Sequence, residues 1–349
     1  MNILYGINTN GQGHINRART LIQTLEARGH KIDLLFGGPK PPKYVNEFKN
    51  KRLYIQGYVV KYQNHKVNYG KTLIDNFVDT INTFPGKIYK LSLLARLRKY
   101  DLIISDLEIL TSLLGFKNKI PTISIDHQHS LIHPSAINAP GNYSDYVSAL
   151  TAIYVTSPWK NHYFAIDFTD KMVTQGKGTL TPLFKKNDLV GIKTTNDDHF
   201  CVYLSYMSPQ EIYSILKQFS DEKFYVFGSK LNKLKNNVQF LPPSRTNFLN
   251  YLTSAKGVIS NSGFSLTWET VQLNKQILSI PVGNQYEQTV NAYRLNKLSL
   301  AKVSTDLTNE SVKSFIDSLN NPCKRTKLPL LDPKVIIKNI EDKFHQLIS

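Results

Sequence analysis

The chain of 349 residues is short of cysteine, of acidic side chains and of long apolar runs. Its two cysteines, Cys201 and Cys323, are too few and too far apart for a disulfide framework or a thiolate zinc site. Cys201 lies in an apolar run and reads as core, which fits a reducing, cytoplasmic setting. No window reaches the roughly 18 uninterrupted apolar residues that a membrane-spanning helix needs, so any membrane contact is expected to be peripheral. The start, Met1-Asn2-Ile3-Leu4-Tyr5-Gly6, is too short and uncharged for a signal peptide. Asp and Glu number 26 against 43 Lys and Arg, leaving a net charge of +17. That balance favours anionic partners: a phosphorylated ligand, nucleic acid or an acidic membrane surface. Thirteen of the cations fall between Pro39 and Tyr100 against three acids. The basic 40–99 stretch is therefore either a solvated lysine-rich surface or a docking face for an anionic membrane. No recognition helix, RNA-binding motif or zinc finger accompanies the charge, which argues against nucleic acid.

What is present is a soluble globular composition, 41% hydrophobic and 11% aromatic, long enough for two cores. Short apolar strands alternate with amphipathic helices, the signature of parallel sheets covered on both faces. Asn2 to Ile7 is a buried strand, and Ile15 to Arg28 a helix with Ala18, Leu21, Ile22 and Leu25 on one side. Lys31 to Phe36 is the next strand. The turn between the first two, Gly11-Gln12-Gly13-His14, falls short of a dinucleotide fingerprint, because Asn16 stands where the third glycine belongs. Tyr69-Gly70-Lys71-Thr72 resembles the tail of a phosphate loop, but its first glycine would fall at His65. Leu102 to Asp106 is an apolar strand with an acid at its C-terminal end, the edge where open α/β sheets bind ligands. Asp106 thus emerges on the same edge as His14, where it could cap the helix from Ile109 to Phe116. After the strand Pro121 to Ile125 comes Asp126-His127-Gln128-His129. Neighbours on a strand alternate faces and no further ligand pattern joins them, so an acceptor or phosphate contact is expected there and no metal. Pro140 to Leu150 reads as turn, Ala152 to Thr156 as strand, and Met172 to Pro182 as mixed structure. Lys185 to Asp198 reads as a linker. A second unit then begins with the strand Phe200 to Ser205 and the helix Ser208 to Phe219, followed by strands at Phe224 to Phe227 and Val238 to Leu241.

The organising stretch is Val258 to Ala292. A strand ends at Ser260, Asn261 to Ser265 form a small polar turn, and a helix runs from Leu266 to Leu273. Such a junction points free N–H groups and a positive dipole end at whatever sits above it, which is a seat for phosphate. Glu269 lies four residues after Ser265, one turn below the seat, where a ribose would meet it. A strand from Gln276 to Pro281 delivers the polar loop Gly283 to Gln288, suited to sugar hydroxyls.

Ser262-Gly263, Ser265, Glu269, Pro281, Glu287-Gln288 and Asn291-Ala292 together resemble the donor half of GT-B glycosyltransferases. The similarity is strongest to the branch with the peptidoglycan GlcNAc transferase and the UDP-glucosyl and glucuronosyl transferases. It implies an α/β GT-B fold, with two Rossmann-like domains facing across a cleft. Residues 1–185 would form the acceptor-side domain and 186–332 the nucleotide-sugar domain. The C-terminal helix, Pro333 to Ile348, would cross back to the first domain through Val335, Ile336, Ile340, Phe344 and Leu347. It implies an inverting transfer from a nucleotide-sugar to a hydroxyl acceptor, on a cell-envelope or lipid-linked glycan. His14 would be the general base, oriented by Asp106. Gly13, Ser205, Ser262, Gly263, Phe264 and Ser265 would hold the donor diphosphate, Glu269 the ribose, and Gln285, Glu287 and Gln288 the sugar. Arg17, Asp126, His127 and Gln128 would meet the acceptor or the diphosphate. No cofactor is implied, and the absence of Asp-x-Asp fits metal-independent chemistry. The rivals are a nucleotide-sugar 2-epimerase, which shares the fold, and a non-catalytic binder of an anionic partner.

Overall fold

The computed structural model describes residues 1–11, 13–39, 46, 48–57, 59, 62–63, 66–67, 85–140, 143–229, 231–320 and 326–349. Gln12, Cys323, the phosphate-loop-like stretch 69–72 and much of the basic 40–99 stretch lie outside the described residues.

The first half builds an eight-stranded sheet. Its strands are β1 (Asn2–Asn8), β2 (Lys31–Gly38), β3 (Lys51–Gln56), β6 (Leu102–Asp106), β7 (Thr122–Asp126), β8 (His162–Asp167), β9 (Val173–Gln175) and β10 (Gly178–Pro182). A small ribbon, β4 (Tyr62–Gln63) with β5 (Lys66–Val67), stands apart. The order is β3-β2-β1-β6-β7-β8-β10-β9, parallel throughout except for β9, which pairs antiparallel with β10. Helices α1 (Gly13–Ala27), α2 (85–98), α3 (Ile109–Asn118) and α4 (Tyr143–Thr156) flank it. The chain leaves β1 toward β2 on one side and returns with β6 on the other. The crevice opens at that reversal, above the C-terminal ends of β1 and β6.

The second half repeats the plan. Strands β11 (Asp197–Tyr203), β12 (Phe224–Phe227), β13 (Lys233–Lys235), β14 (Val238–Leu241), β15 (Ala255–Asn261), β16 (Ile277–Ile280) and β17 (Lys302–Val303) lie in the order β13-β14-β12-β11-β15-β16-β17. Only β13 is antiparallel. The reversal falls between β11 and β15, so the turn before α7 (Phe264–Gln272) stands on its crevice. The other helices are α5 (Pro209–Leu216), α6 (Arg245–Ser254), α8 (Tyr286–Lys297), α9 (Asn309–Asn320) and α10 (Pro333–Ile348). This is the GT-B arrangement of two Rossmann-like units.

The halves share a core. Phe264, Trp268, Leu295 and Leu300 from the second half join the cluster built on Ile7, Ile15, Leu21 and Phe36. The indole N–H of Trp268 donates to the Phe184 carbonyl, 2.9 Å away. Helix α10 returns to this cluster through Ile336, Ile337, Ile340 and Phe344, and Arg28 and His30 both bond its Glu341. Ile337 takes the place expected for Val335, which faces solvent.

Two readings are corrected. Residues 143–156, expected as turn and then strand, are one helix. Its β-branched residues mimic a strand, yet Ser148, Thr151 and Thr156 donate back to the carbonyls four residues earlier, so their hydroxyls are satisfied inside the helix. The donor loop expected to run to Gln288 stops sooner, because α8 begins at Tyr286. The buried strand β8 had no expectation attached to it.

Candidate active site

On the first sheet, β1 ends and the chain turns directly into α1, so His14 sits in the first helical turn above the crevice. Its Nδ1 lies 2.7 Å from Oδ1 of Asp106, the last residue of β6. Arg17, one turn along α1, clamps the same carboxylate, donating from Nε to Oδ2 at 3.0 Å and from an Nη to Oδ1 at 2.6 Å. All three side chains are buried. Burial alone would weaken the Arg17 charge, but Asp106 outweighs it and raises the guanidinium further. Nδ1 is thereby committed, and among the described residues His14 Nε2 has no hydrogen-bond partner. Asp106 does not cap α3. Glu108 does, accepting from Leu110 and Thr111 N–H at 3.1 and 2.7 Å. Burial pushes its carboxyl up to about 7.

On the second sheet, β15 ends at Asn261 and α7 starts at Phe264 behind Gly263, with no side chain closing the helix end. The amide groups of the first turn are thus left to a ligand. Ser262 turns inward, its Oγ 2.7 Å from Ser279 Oγ, while Ser205 stays exposed with its N–H on Asn261 Oδ1. An added Cβ on Gly13 would lie 3.4 Å from the Ser265 Cβ, so the first turns of α1 and α7 abut across the crevice.

Below that turn lies a network the sequence did not show. Lys186, from the stretch read as a linker, is fully buried. Its Nζ donates to Ser265 O and Oγ, both at 3.2 Å, and to Glu269 Oε1 at 2.9 Å. Arg245 holds Glu269 through both oxygens, at 2.9 and 3.1 Å, and reaches Asp188 at 2.8 Å. Burial would raise the Glu269 carboxyl, but Lys186 and Arg245 more than offset it and hold it low. Lys186 in turn is lowered by burial, with Glu269 opposing the shift.

Helix α8 brings the third helix start to the cleft. Gln285 precedes it without a side-chain cap. Glu287, half-buried in the first turn, accepts from Gln128 Nε2 at 3.1 Å. Burial raises its carboxyl, while the nearby His14 and Arg17 pull it down. Gln288 spends its side-chain oxygen on Val282 N–H at 3.0 Å.

The remaining expected contacts are held inside the protein. Asp126 accepts from Ser124 Oγ and from the backbone and ring of His129. His127 stacks on Phe264 at 3.6 Å between ring centres, and its Nε2 lies 2.7 Å from Asn291 Oδ1. Arg294, also without an expectation, crosses to the first half and donates to Asp167, Ser130 and the Ile137 carbonyl. The signal for it was faint: Glu287, Asn291 and Arg294 follow helical spacing along one side of α8. Nothing in a polar linker singled out Lys186. Among the described residues, no three metal-binding side chains stand together.

No curated protein matches the chain in sequence. Solved structures do match it in fold. A spinosyn forosaminyltransferase is 10% identical over 99% of both chains with a TM-score of 0.62. Phytolacca americana UGT2, complexed with UDP-2-fluoro-glucose and pterostilbene, is 11% identical over 99% of this chain and 100% of its own, at 0.61. A spinosyn rhamnosyltransferase complexed with thymidine diphosphate is 12% identical over 98% and 100%, at 0.58. At such identities they speak for the fold. The profile of glycosyl transferase family 1 matches residues 1–320, and the chain belongs to that family.

Proposed function

We propose that this glycosyltransferase is an inverting, metal-independent enzyme that moves a sugar from a nucleotide-sugar, UDP-linked by preference, to the hydroxyl of a cell-envelope or lipid-linked glycan. The carrying observation is the placement of His14, with Nδ1 committed to Asp106, against the uncapped start of α7. The diphosphate lies on the α7 start beside Gly13, Ser205 and Ser265, where amide groups and the helix dipole meet negative charge. Glu269 Oε2 takes one Arg245 N–H and retains a lone pair for a ribose hydroxyl. Gln285, Glu287 and the amide of Gln288 face the sugar. The acceptor oxygen attacks the anomeric carbon as its proton passes to His14 Nε2, and the bond to the diphosphate oxygen breaks. Asp106, fixed by Arg17, stabilises the imidazolium. The α7 amides receive the charge of the departing diphosphate. Two neighbours, complexed with UDP-2-fluoro-glucose and with thymidine diphosphate, support a nucleotide donor.

The test is turnover of UDP-sugars and dTDP-sugars with and without acceptors, with the product anomer read by NMR. Acceptor-dependent transfer with inversion, unchanged by chelator, is expected. Retention, or loss of turnover in chelator with recovery in magnesium, overturns the mechanism. Conversion of donor alone to its 2-epimer overturns the transferase reading.

A further inference from the structure

Helix α4 turns large apolar side chains to solvent. Its sequence, Tyr143 to Thr156, carries a single charge, Asp145, and only Ile153 and Thr156 are buried. A surface helix ordinarily turns its large apolar side chains toward the core. Here Tyr143 is 78% exposed, and Val147 and Tyr154 continue outward at helical spacing. The neighbouring α2 does the same. It buries Leu91 and Ala95 against the sheet while Tyr89, Leu93 and Leu97, the last 74% exposed, line its outer side.

These outer sides form one surface. Lys117 of α3 sits over the Tyr89 ring, its neighbour Phe116 packs on Trp159 at 4.7 Å, and Lys160 sits over Tyr154. Aromatic rings and cations thus alternate from α2 across α3 to α4. The charge is one-sided. Helices α2, α3 and α4 carry Lys87, Lys90, Arg96, Arg98 and Lys117 against Asp145 alone. The surface also reaches the cleft, since Tyr146 of α4 packs edge-on against Tyr286, the residue before Glu287.

We propose that the α2–α3–α4 face is a membrane-docking surface for an anionic bilayer. Tyr89, Tyr154 and Trp159 sit at the headgroup level, Leu93, Leu97 and Val147 reach the acyl boundary, and the cations meet lipid phosphates. The chemistry favours a bilayer over a protein partner: apolar side chains distributed over three helices and interleaved with charge of one sign match an anionic sheet. Among the described residues no helix is long and apolar enough to cross the membrane, and the proposed contact runs along its surface. An acceptor anchored in that membrane would reach the cleft past Tyr146, a consequence that rests on the proposed transfer. Docking itself does not.

The experiment is co-sedimentation of the full chain with phosphatidylglycerol/phosphatidylcholine vesicles and with phosphatidylcholine vesicles alone, with sedimentation velocity run on the same samples. Binding to the anionic vesicles is expected, weakened in high salt. The Tyr143→Ser/Val147→Ser/Tyr154→Ser variant should lose partitioning by about tenfold or more. Lys90→Glu/Lys117→Glu should do the same on anionic vesicles only. Both variants should keep the wild-type melting temperature and the wild-type thermal shift with a nucleoside diphosphate, which separates failed docking from misfolding and from a failed donor site. Wild-type protein that ignores anionic vesicles, or variants that bind them as wild type does, overturns the proposal. So does a wild-type dimer that the triple-serine variant dissolves, which assigns the face to a second copy of the chain.

Discussion

The two halves of the cleft use a buried carboxylate in opposite ways. In the first half Asp106 is the holder: it fixes His14 by one nitrogen, takes the Arg17 fork, and leaves a single imidazole nitrogen facing the crevice. In the second half Glu269 is the held group, gripped by Lys186 and Arg245, and the groups turned to the crevice are backbone amides. The first arrangement suits proton transfer, which needs one titratable atom in one place. The second suits charge binding, which needs fixed dipoles that do not reorganise. The difference divides the labour between halves that share one topology.

That division can be broken at its strongest point. His14→Ala should lower transfer by about 100- to 10,000-fold, the usual worth of a positioned base, with kcat falling and donor KM nearly unchanged. A fall in kcat/KM carried entirely by KM would place His14 on the binding side instead. In the second half the larger loss is in stability. Lys186→Met leaves a buried carboxylate facing only Arg245 and should cost about 3 kcal/mol in urea unfolding. Adding Glu269→Gln should recover much of it. A single variant as stable as wild type would mean that the network does not hold the α7 start.

A third carboxylate sharpens the contrast. Glu108 is buried and accepts from two N–H groups, with no cation among its hydrogen-bond partners in the described residues, and its carboxyl is raised to about 7 from an ordinary 4.5. Between those values the folded chain binds the proton and the unfolded chain does not. The contribution is therefore full below 4.5 and is lost as pH rises toward 7, by up to about 3 kcal/mol. Glu269, held low by its cations, runs the other way: its contribution is present above the ordinary carboxylate value and lost as pH falls. Glu108→Gln should flatten the neutral limb of a stability–pH curve and leave the acid limb in place. The smallest effect is expected across the cleft. Gln128→Ala removes one hydrogen bond to Glu287 and should raise donor KM by roughly fivefold, about 1 kcal/mol.

The sequence carried most of the fold because apolar strands, glycine turns and helix periods alternate on a scale that local rules read. The position of Asp106 was legible for the same reason, since it ends a strand, while His14 was singled out by the resemblance that its Gly-x-Gly-His turn carries. Helix α4 was missed because Ser144, Asp145 and Ser148 read as turn residues and the β-branched and aromatic run after them reads as strand. Lys186 was missed because its burial depends on Glu269, 83 residues away, and a lone lysine in a polar stretch has no pattern. Asp126 and His127 looked available because their types bind ligands. The fold spends them on His129, Asn291 and the Phe264 ring.

The most direct measurement is a calorimetric titration of a nucleoside diphosphate, UDP and dTDP in turn, into wild type, His14→Ala and Glu269→Ala. The division of labour predicts that His14→Ala binds as wild type does, while Glu269→Ala, still folded by circular dichroism, loses affinity by about tenfold or more. Affinity lost with His14 and kept without Glu269 would contradict it.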